Sequence, residues 1–188
     1  MRRVIVGLTG ASGTIYGVRA LETLRAAPDI ETHAVISPAA FRAAREEMDM
    51  APEALTALPD HLHDHADIGA AIASGSFVTA GMLIAPCSVR TLSAVATCHC
   101  ADLMSRAADV CLKERRPLVL MLRETPLHAG HIALMEQATR SGAIVMPPVP
   151  SFYTRPRTID DIVNQTVGRA LDLLGVPLPF VKRWKAED

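Results

Sequence analysis

The chain has 188 residues, of which 49% are hydrophobic and 21% charged, and its formal net charge at neutral pH is −1. This length predicts one domain, over residues 1–188, that can fold without disulfides or a structural metal. The near-zero charge argues against the basic surface that nucleic acids and anionic membranes require. No apolar run reaches the roughly 20 residues that cross a bilayer. We therefore expect a cytoplasmic protein with no membrane or nucleic-acid partner.

Short apolar runs alternate with helical patterns along the chain. Strands are predicted at 3–8, 32–36, 82–85, 118–122 and 143–146. Helices are predicted at 14–26, 39–47, 89–96, 103–112, 129–141 and 159–174, the last forming a C-terminal helix that leads into a tail. This alternation predicts an α/β fold, a parallel sheet covered by helices on both faces. In such folds ligands bind beyond the carboxyl ends of the strands.

Two segments depart from this alternation. Residues 49–70 are mixed in composition and rich in His and Asp, and residues 146–157 hold four prolines between the last predicted strand and the last predicted helix. Because proline fixes φ and has no N–H to donate, the second segment is predicted to be a stiff, extended and non-helical loop. Loops of this length are often functional.

The stretch "GLTGASGTIYG" (7–17) holds four glycines where the first strand passes into the first helix, and two of them, Gly10 and Gly13, lie between the two elements. Glycines at such a junction let backbone N–H groups approach an anionic ligand at a helix N-terminus. The spacing matches neither G-x-G-x-x-G nor the Walker pattern with its lysine. A tight turn capped by Ser12 is the alternative interpretation.

The stretch "APCSVRTLS" (85–93) repeats this arrangement, since Ser88 and Thr91 open a helix directly after a buried strand. Two polar helix starts at one sheet edge suit a single extended ligand, although each alone could be an ordinary N-cap. Arg123 and Glu124 stand at the carboxyl end of the fourth predicted strand, where ligand-binding residues collect in this fold class.

Two short motifs raise the question of a metal site. "HLHDH" (61–65) alternates histidines, but Pro59, Asp60 and Asp64 give it the composition of a loop. "CHC" (98–100) lacks the second pair of ligands that a structural zinc site requires. We predict a solvated loop at 61–65 and no bound metal.

Six motifs in order carry a family resemblance: "GASGTIYGVR", "SGSF", "PCSVRTLS", "RAADVCLKERRPLVLMLRETPLH", "GAIVMPPVPSFYTRP" and "TIDDIVNQTVGRALDLLG". Together, from Arg3 to about Trp184, they resemble the UbiX-like flavin prenyltransferases, a flavoprotein family related to flavin-dependent cysteine decarboxylases. The resemblance implies a three-layer Rossmann-like or flavodoxin-like fold and a homo-oligomer, typically of trimers gathered into a dodecamer.

It also implies the chemistry. Family members join the dimethylallyl group of dimethylallyl phosphate to N5 and C6 of reduced FMN, and the prenylated FMN passes to a UbiD-type decarboxylase. No DDxxD-type acidic motif is present to hold Mg²⁺ for a diphosphate donor. An FMN-dependent decarboxylase and a non-catalytic FMN-carrying subunit remain as alternatives.

The motifs also assign residues by resemblance. FMN contacts are implied for Gly10, Ala11, Ser12, Ser37, Ser88, Val89, Arg90, Thr91 and Arg123. Glu47 matches a family glutamate near the reacting edge of the flavin, and it joins Ser12 and Glu124 as a catalytic candidate. Glu124 would carry a proton and is expected to be buried beside cations. Lys113, Tyr153 and Arg169 match the site for dimethylallyl phosphate, and Tyr153 could reach a neighbouring subunit.

Overall fold

In the computed structural model, which describes residues 1–185, six strands form one sheet flanked by seven α-helices. The strands are β1 (Arg2–Leu8), β2 (Ile30–Ile36), β3 (His61–His63), β4 (Gly81–Cys87), β5 (Leu118–Leu122) and β6 (Ile144–Val145). The helices are α1 (Thr14–Arg25), α2 (Pro38–Met48), α3 (Pro52–Thr56), α4 (Val89–Ala96), α5 (Leu103–Lys113), α6 (Ala129–Arg140) and α7 (Ile159–Leu173). Among these residues no helix is both long and apolar enough to span a bilayer.

The sheet is wholly parallel, and its strand order is β3-β2-β1-β4-β5-β6. The chain builds outward from β1 in one direction through β2 and β3, and in the other through β4, β5 and β6. The direction reverses between β1 and β4, which makes their carboxyl ends the topological switch point. A ligand crevice is expected there, because the loops that follow the two strands diverge to opposite faces.

Side chains of successive β1 residues enter two separate cores. Val4, Val6 and Leu8 pack in one core cluster with buried residues of α1 and α7, while Ile5 joins the second cluster with residues of α4 and α5. Since adjacent side chains of a strand point to opposite faces, an unbroken apolar run is buried only when helices cover both faces. The predicted three-layer α/β architecture is confirmed.

All five predicted strands and six predicted helices are present, with ends that differ by no more than two residues. The single domain predicted over 1–188 remains a prediction, and its residues 186–188 lie outside the described part of the chain. In the proline-rich segment 146–157 the non-helical prediction was wrong at one point. Residues Phe152–Thr154 form a single 3₁₀ turn.

The prediction of a solvated loop at 61–65 was also wrong. His61–His63 form β3, the edge strand, which pairs with β2 so that His33 lies opposite His61. The imidazole rings of His33 and His61 stack with centroids 4.7 Å apart. The strand was missed because it is only three residues long and follows the loop-like pair Pro59-Asp60.

Candidate functional site

The exits of β1 and β4 are tied together by one buried side chain, Thr9. Its hydroxyl donates a hydrogen bond to the carbonyl oxygen of Pro86 at 2.6 Å and accepts one from the N–H of Ser88 at 3.0 Å. Because the two strands lie on either side of the switch point, this pair of bonds sets the spacing of the loops that lead into α1 and α4. The crevice therefore has a defined width before any ligand enters.

A cavity of about 340 Å³ opens beyond these strand ends. It is lined by Thr9, Gly10, Ser37, Pro38, Ala39, His65, Ser88, Arg90, Thr91, Asp102 and Met104. We call it the switch-point cavity. Five of the residues expected to contact FMN line it, namely Gly10, Ser37, Ser88, Arg90 and Thr91. Ala11, Ser12 and Val89 adjoin it in sequence without lining it.

Two helices begin at the switch-point cavity. Ser37 is the N-cap of α2, and its hydroxyl accepts a hydrogen bond from the N–H of Ala40 at 3.3 Å. Ser88 plays the same part for α4 and accepts from the N–H of Thr91 at 3.3 Å. Ahead of these donors, the N–H of Ala39 in α2 and those of Val89 and Arg90 in α4 have no acceptor within the helix, and Pro38 has no N–H to donate. Together with the helix dipoles they favour an anion in the cavity.

The packing of the chain gives Gly10 a reason to be glycine that the sequence analysis did not foresee. A Cβ on Gly10 would lie 2.4 Å from the Cβ of Ala39, at the start of α2. The β1–α1 loop therefore runs against α2 with no room for a side chain, whether or not a ligand is bound. Gly13 has φ 99°, a left-handed conformation that glycine adopts without strain. The packing of the chain itself accounts for these two glycines.

Helix α1 has no capping side chain of its own, because its N-cap residue is Gly13. Glu47 supplies the cap instead. The Glu47 carboxylate accepts hydrogen bonds from the N–H groups of Gly13 and Thr14, both at 2.9 Å. Burial raises the pKa of Glu47, but hydrogen bonds from the Ser12 hydroxyl and from these N–H groups outweigh it and lower the pKa overall. The predicted catalytic pair of Glu47 and Ser12 is thus brought together at the N-terminus of α1, with the carboxylate ionised.

Arg123 and Glu124 leave β5 at the same sheet edge. The N–H of Arg123 donates to the carbonyl oxygen of Cys87 at 3.0 Å, one residue before the N-cap of α4. Both side chains are exposed, and Glu124 accepts a hydrogen bond from the adjacent N–H of Thr125 at 3.0 Å. The expected burial of Glu124 beside cations is not found within residues 1–185 of one chain.

The three residues expected at the dimethylallyl phosphate site are not gathered by one chain. Lys113, at the end of α5, pairs with Glu114. Arg169, on α7, pairs with Asp172 at 2.6 Å. The Tyr153 hydroxyl donates to the carbonyl oxygen of Lys182 at 3.2 Å. Each side chain has a partner of its own, and none lines the switch-point cavity.

Sequence reasoning missed three polar residues that line the cavity, Thr9, His65 and Asp102. Asp102 caps α5 by accepting from the N–H of Ser105 at 2.8 Å, and its other oxygen lies 3.5 Å from Nε2 of His65. The D-x-x-S pattern before an apolar helix was a usable local signal for Asp102. His65 arrives from the far side of β3, so no local pattern could have placed it there.

Comparison with known proteins agrees with this geometry. The family described as "Flavoprotein" matches residues 1–171. Flavin prenyltransferase UbiX of Escherichia coli K12 is 54% identical over 187 residues, which cover 98% of this chain and 99% of that protein. The structure of AnUbiX (PadA1) in complex with FMN and dimethylallyl pyrophosphate superimposes with a TM-score of 0.95 at 44% identity, over 100% of this chain and 99% of that one.

A second solved structure is described as a dodecameric FMN-dependent UbiX-like decarboxylase from Escherichia coli O157:H7. It superimposes with a TM-score of 0.94 at 43% identity, over 98% of this chain and 100% of that one. Identity and coverage at this level extend well beyond a shared fold. The chain belongs to the flavoprotein family and, within it, to the UbiX flavin prenyltransferases.

Proposed function

We propose that this chain is a flavin prenyltransferase, which joins the dimethylallyl group of dimethylallyl phosphate to N5 and C6 of reduced FMN. The observation that carries the proposal is the switch-point cavity, where the N-termini of α2 and α4 open beside the ends of β1 and β4. The 54% identity to a flavin prenyltransferase supports the choice of reaction.

The residues of the cavity fit the phosphate end of FMN. The first turns of α2 and α4 offer N–H donors, and Arg90 adds a guanidinium at the same place. Ser37 and Ser88 hold these turns in position through their caps. Ser12, Ala11 and Arg123 would hold the remainder of the flavin. When bound in its reduced form, FMN supplies the nucleophilic positions that take up the five-carbon group.

The protein's task on the donor side is to stabilise separated charge. Breaking the allylic C–O bond leaves positive charge on the five-carbon fragment and negative charge on the departing phosphate. Lys113 and Arg169 would neutralise the phosphate, and the Tyr153 hydroxyl would donate a hydrogen bond to it. Fixed cations in a site closed to water stabilise such a transition state.

We infer that these three residues meet only between protomers of a homo-oligomer, as in the dodecamer expected from the sequence. Around Tyr153, which is 43% exposed, the side chains of Val149 and Phe152 are each 71% exposed. Several apolar side chains this exposed on one loop indicate a surface that a partner chain covers. A neighbouring chain over residues 146–157 would close the donor site and bury Glu124.

Glu124 would then act as the proton carrier. A carboxylic acid at that place can protonate the departing phosphate, and its carboxylate can later accept the proton released from C6 of the flavin ring. Closing the bond to C6 would also require the double bond of the attached five-carbon group to take up a proton, which the proton lost from N5 on alkylation would supply. The two protons released, from N5 and C6, then match the two taken up, by the phosphate and the former double bond. Glu47, held ionised on the N-terminus of α1, would keep the Ser12 hydroxyl oriented toward the flavin.

We further propose that a UbiD-type decarboxylase receives the prenylated FMN. The cytoplasmic location expected from the sequence stays a prediction.

The deciding experiment is mass spectrometry of the flavin after anaerobic incubation of the protein with reduced FMN and dimethylallyl phosphate. We expect a mass gain of one five-carbon unit, and none when the donor is omitted. A parallel reaction with dimethylallyl pyrophosphate tests which donor is used. Unchanged FMN with either donor would support an FMN-dependent decarboxylase or an FMN carrier instead.

A further inference from the structure

A cluster of imidazole and carboxylate groups lies at the β2–β3 edge of the sheet, away from the residues that line the switch-point cavity. Glu31 and His33 stand two residues apart on β2, so their side chains share one face of the sheet. His61 lies directly opposite His33 in the β2–β3 register. Backbone pairing, rather than a mobile loop, thus holds all three on one surface.

The ligand-type atoms of the three residues converge on one point. Oε1 of Glu31 lies 3.0 Å from Nε2 of His33 and 3.2 Å from Nε2 of His61. All three atoms lie within 4.8 Å of one another. Ligand atoms on one tetrahedral zinc ion are about 3.3 Å apart, given metal–ligand distances near 2.0 Å. Both oxygen–nitrogen distances are thus already close to the spacing that a bound ion requires.

Groups behind the cluster hold two of its members in place. Nδ1 of His33 lies 2.9 Å from Nε2 of His63, so a hydrogen bond from the first ring to the second leaves Nε2 of His33 free as a ligand. Nε of Arg3 lies 3.4 Å from Oε2 of Glu31, the carboxylate oxygen that faces away from the two histidines. Such hydrogen bonds behind the ligands are a regular feature of metal sites, where they orient the side chains.

The burial of the cluster also suits a metal ion. The His33 side chain is only 5% exposed, whereas that of His61 is 54% exposed, so the cluster is anchored within the protein and open on one side.

We propose that Glu31, His33 and His61 form a binding site for a divalent late first-row transition ion, best fitted by zinc. Two imidazole nitrogens favour such an ion over Mg²⁺ or Ca²⁺, which take oxygen ligands. Water would complete the tetrahedron on the exposed side. The ion would fasten the three-residue edge strand β3 to β2. It would also steady the segment leading to His65 at the switch-point cavity, and it plays no part in prenyl transfer.

The test is a calorimetric titration of the full-length protein with Zn²⁺ after treatment with EDTA and dialysis. We expect one zinc ion per chain and a melting temperature that rises with zinc concentration. His61→Ala removes an exposed ligand without opening the core, and it should weaken zinc binding by more than about tenfold. Glu31→Gln, which keeps the shape of the side chain, should weaken binding as well.

The double variant Cys98→Ser/Cys100→Ser is the matched control, because those thiols are the rival zinc ligands on this chain. It should bind zinc as the unmodified protein does. With Co²⁺ in place of Zn²⁺, we expect the visible bands of a tetrahedral site without a thiolate charge-transfer band. Zinc binding that is lost in the cysteine variant and kept in His61→Ala would overturn the proposal, as would the absence of saturable binding below millimolar zinc.

Discussion

The proposed flavin side and the proposed donor side of this protein are built in different ways. On the flavin side, backbone groups at the ends of β1 and β4 and the starts of α2 and α4 surround one cavity within a single chain. On the donor side, Lys113, Tyr153 and Arg169 lie on separate elements, and each is paired within its own chain. A backbone site forms as the single chain folds, whereas a site made of these long surface side chains would form, on our proposal, only with a second protomer.

The largest effect is expected from Glu124→Gln, which removes the proton carrier and keeps the side-chain volume. Prenylated flavin should form about 10²–10⁴-fold more slowly, the usual contribution of a general acid or base. FMN affinity should be unchanged, because Glu124 does not line the switch-point cavity. Single-turnover mass spectrometry and a flavin titration measure the two quantities separately. Turnover at the rate of the unmodified protein would remove Glu124 from the mechanism.

Arg169→Ala should act on the donor alone. Loss of a charge-assisted hydrogen bond of about 1.5–3 kcal/mol corresponds to roughly 10–150-fold weaker donor binding, with little change in FMN affinity. Arg140→Ala, which removes a 79% exposed arginine of α6, is the control and should change neither affinity. If the two variants bind the donor equally well, Arg169 does not contact the donor and has only a structural role in its ion pair with Asp172.

Gly10→Ala tests whether Gly10 is required by packing against Ala39 or by the flavin. The new Cβ meets Ala39, so we expect a loss of about 1–3 kcal/mol in the free energy of unfolding, as for other overpacked sites. The same shift of the loop should weaken FMN binding in Gly10→Ala. Adding Ala39→Gly to that chain should restore part of the stability and part of the FMN binding, because it removes the opposing methyl group. A double variant that is stable yet does not bind FMN would show that the Cβ collides with the ligand.

The smallest effect concerns Glu47→Gln and its pH dependence. Folding lowers the pKa of Glu47 below its ordinary value of 4.5. The Glu47 cap on α1 therefore contributes its full stabilisation above pH 4.5, and this contribution is lost as the pH falls through the lowered pKa of the folded chain. The melting temperature of Glu47→Gln should lie below that of the unmodified protein at pH 7. The two should converge in acid below pH 4.5. A constant difference across that range would contradict the capping role.

Local patterns were sufficient for most of the fold. Apolar runs such as 118–122 and the cap of α7 at Thr158 predict strands and helices because their signals lie within a few residues. The edge strand at His61–His63 escaped prediction since only its pairing with β2 makes it a strand. His65 and the close approach of Gly10 to Ala39 likewise depend on contacts between distant segments. Of the two helix starts predicted for the flavin side, that of α4 lies at the cavity, but the second helix that begins there is α2 and not the predicted α1.

The central claim is that each active site combines residues of more than one chain, with Glu124 of the chain that holds the flavin beside Arg169 of another. It is tested by co-expressing Glu124→Gln and Arg169→Ala chains with different affinity tags and purifying mixed oligomers through both tags. At limiting donor, each variant alone should form little prenylated flavin, whereas the mixed oligomers should regain a fraction of the activity, because some sites receive an intact Glu124 and an intact Arg169. Mixed oligomers no more active than the two variants alone would contradict the account.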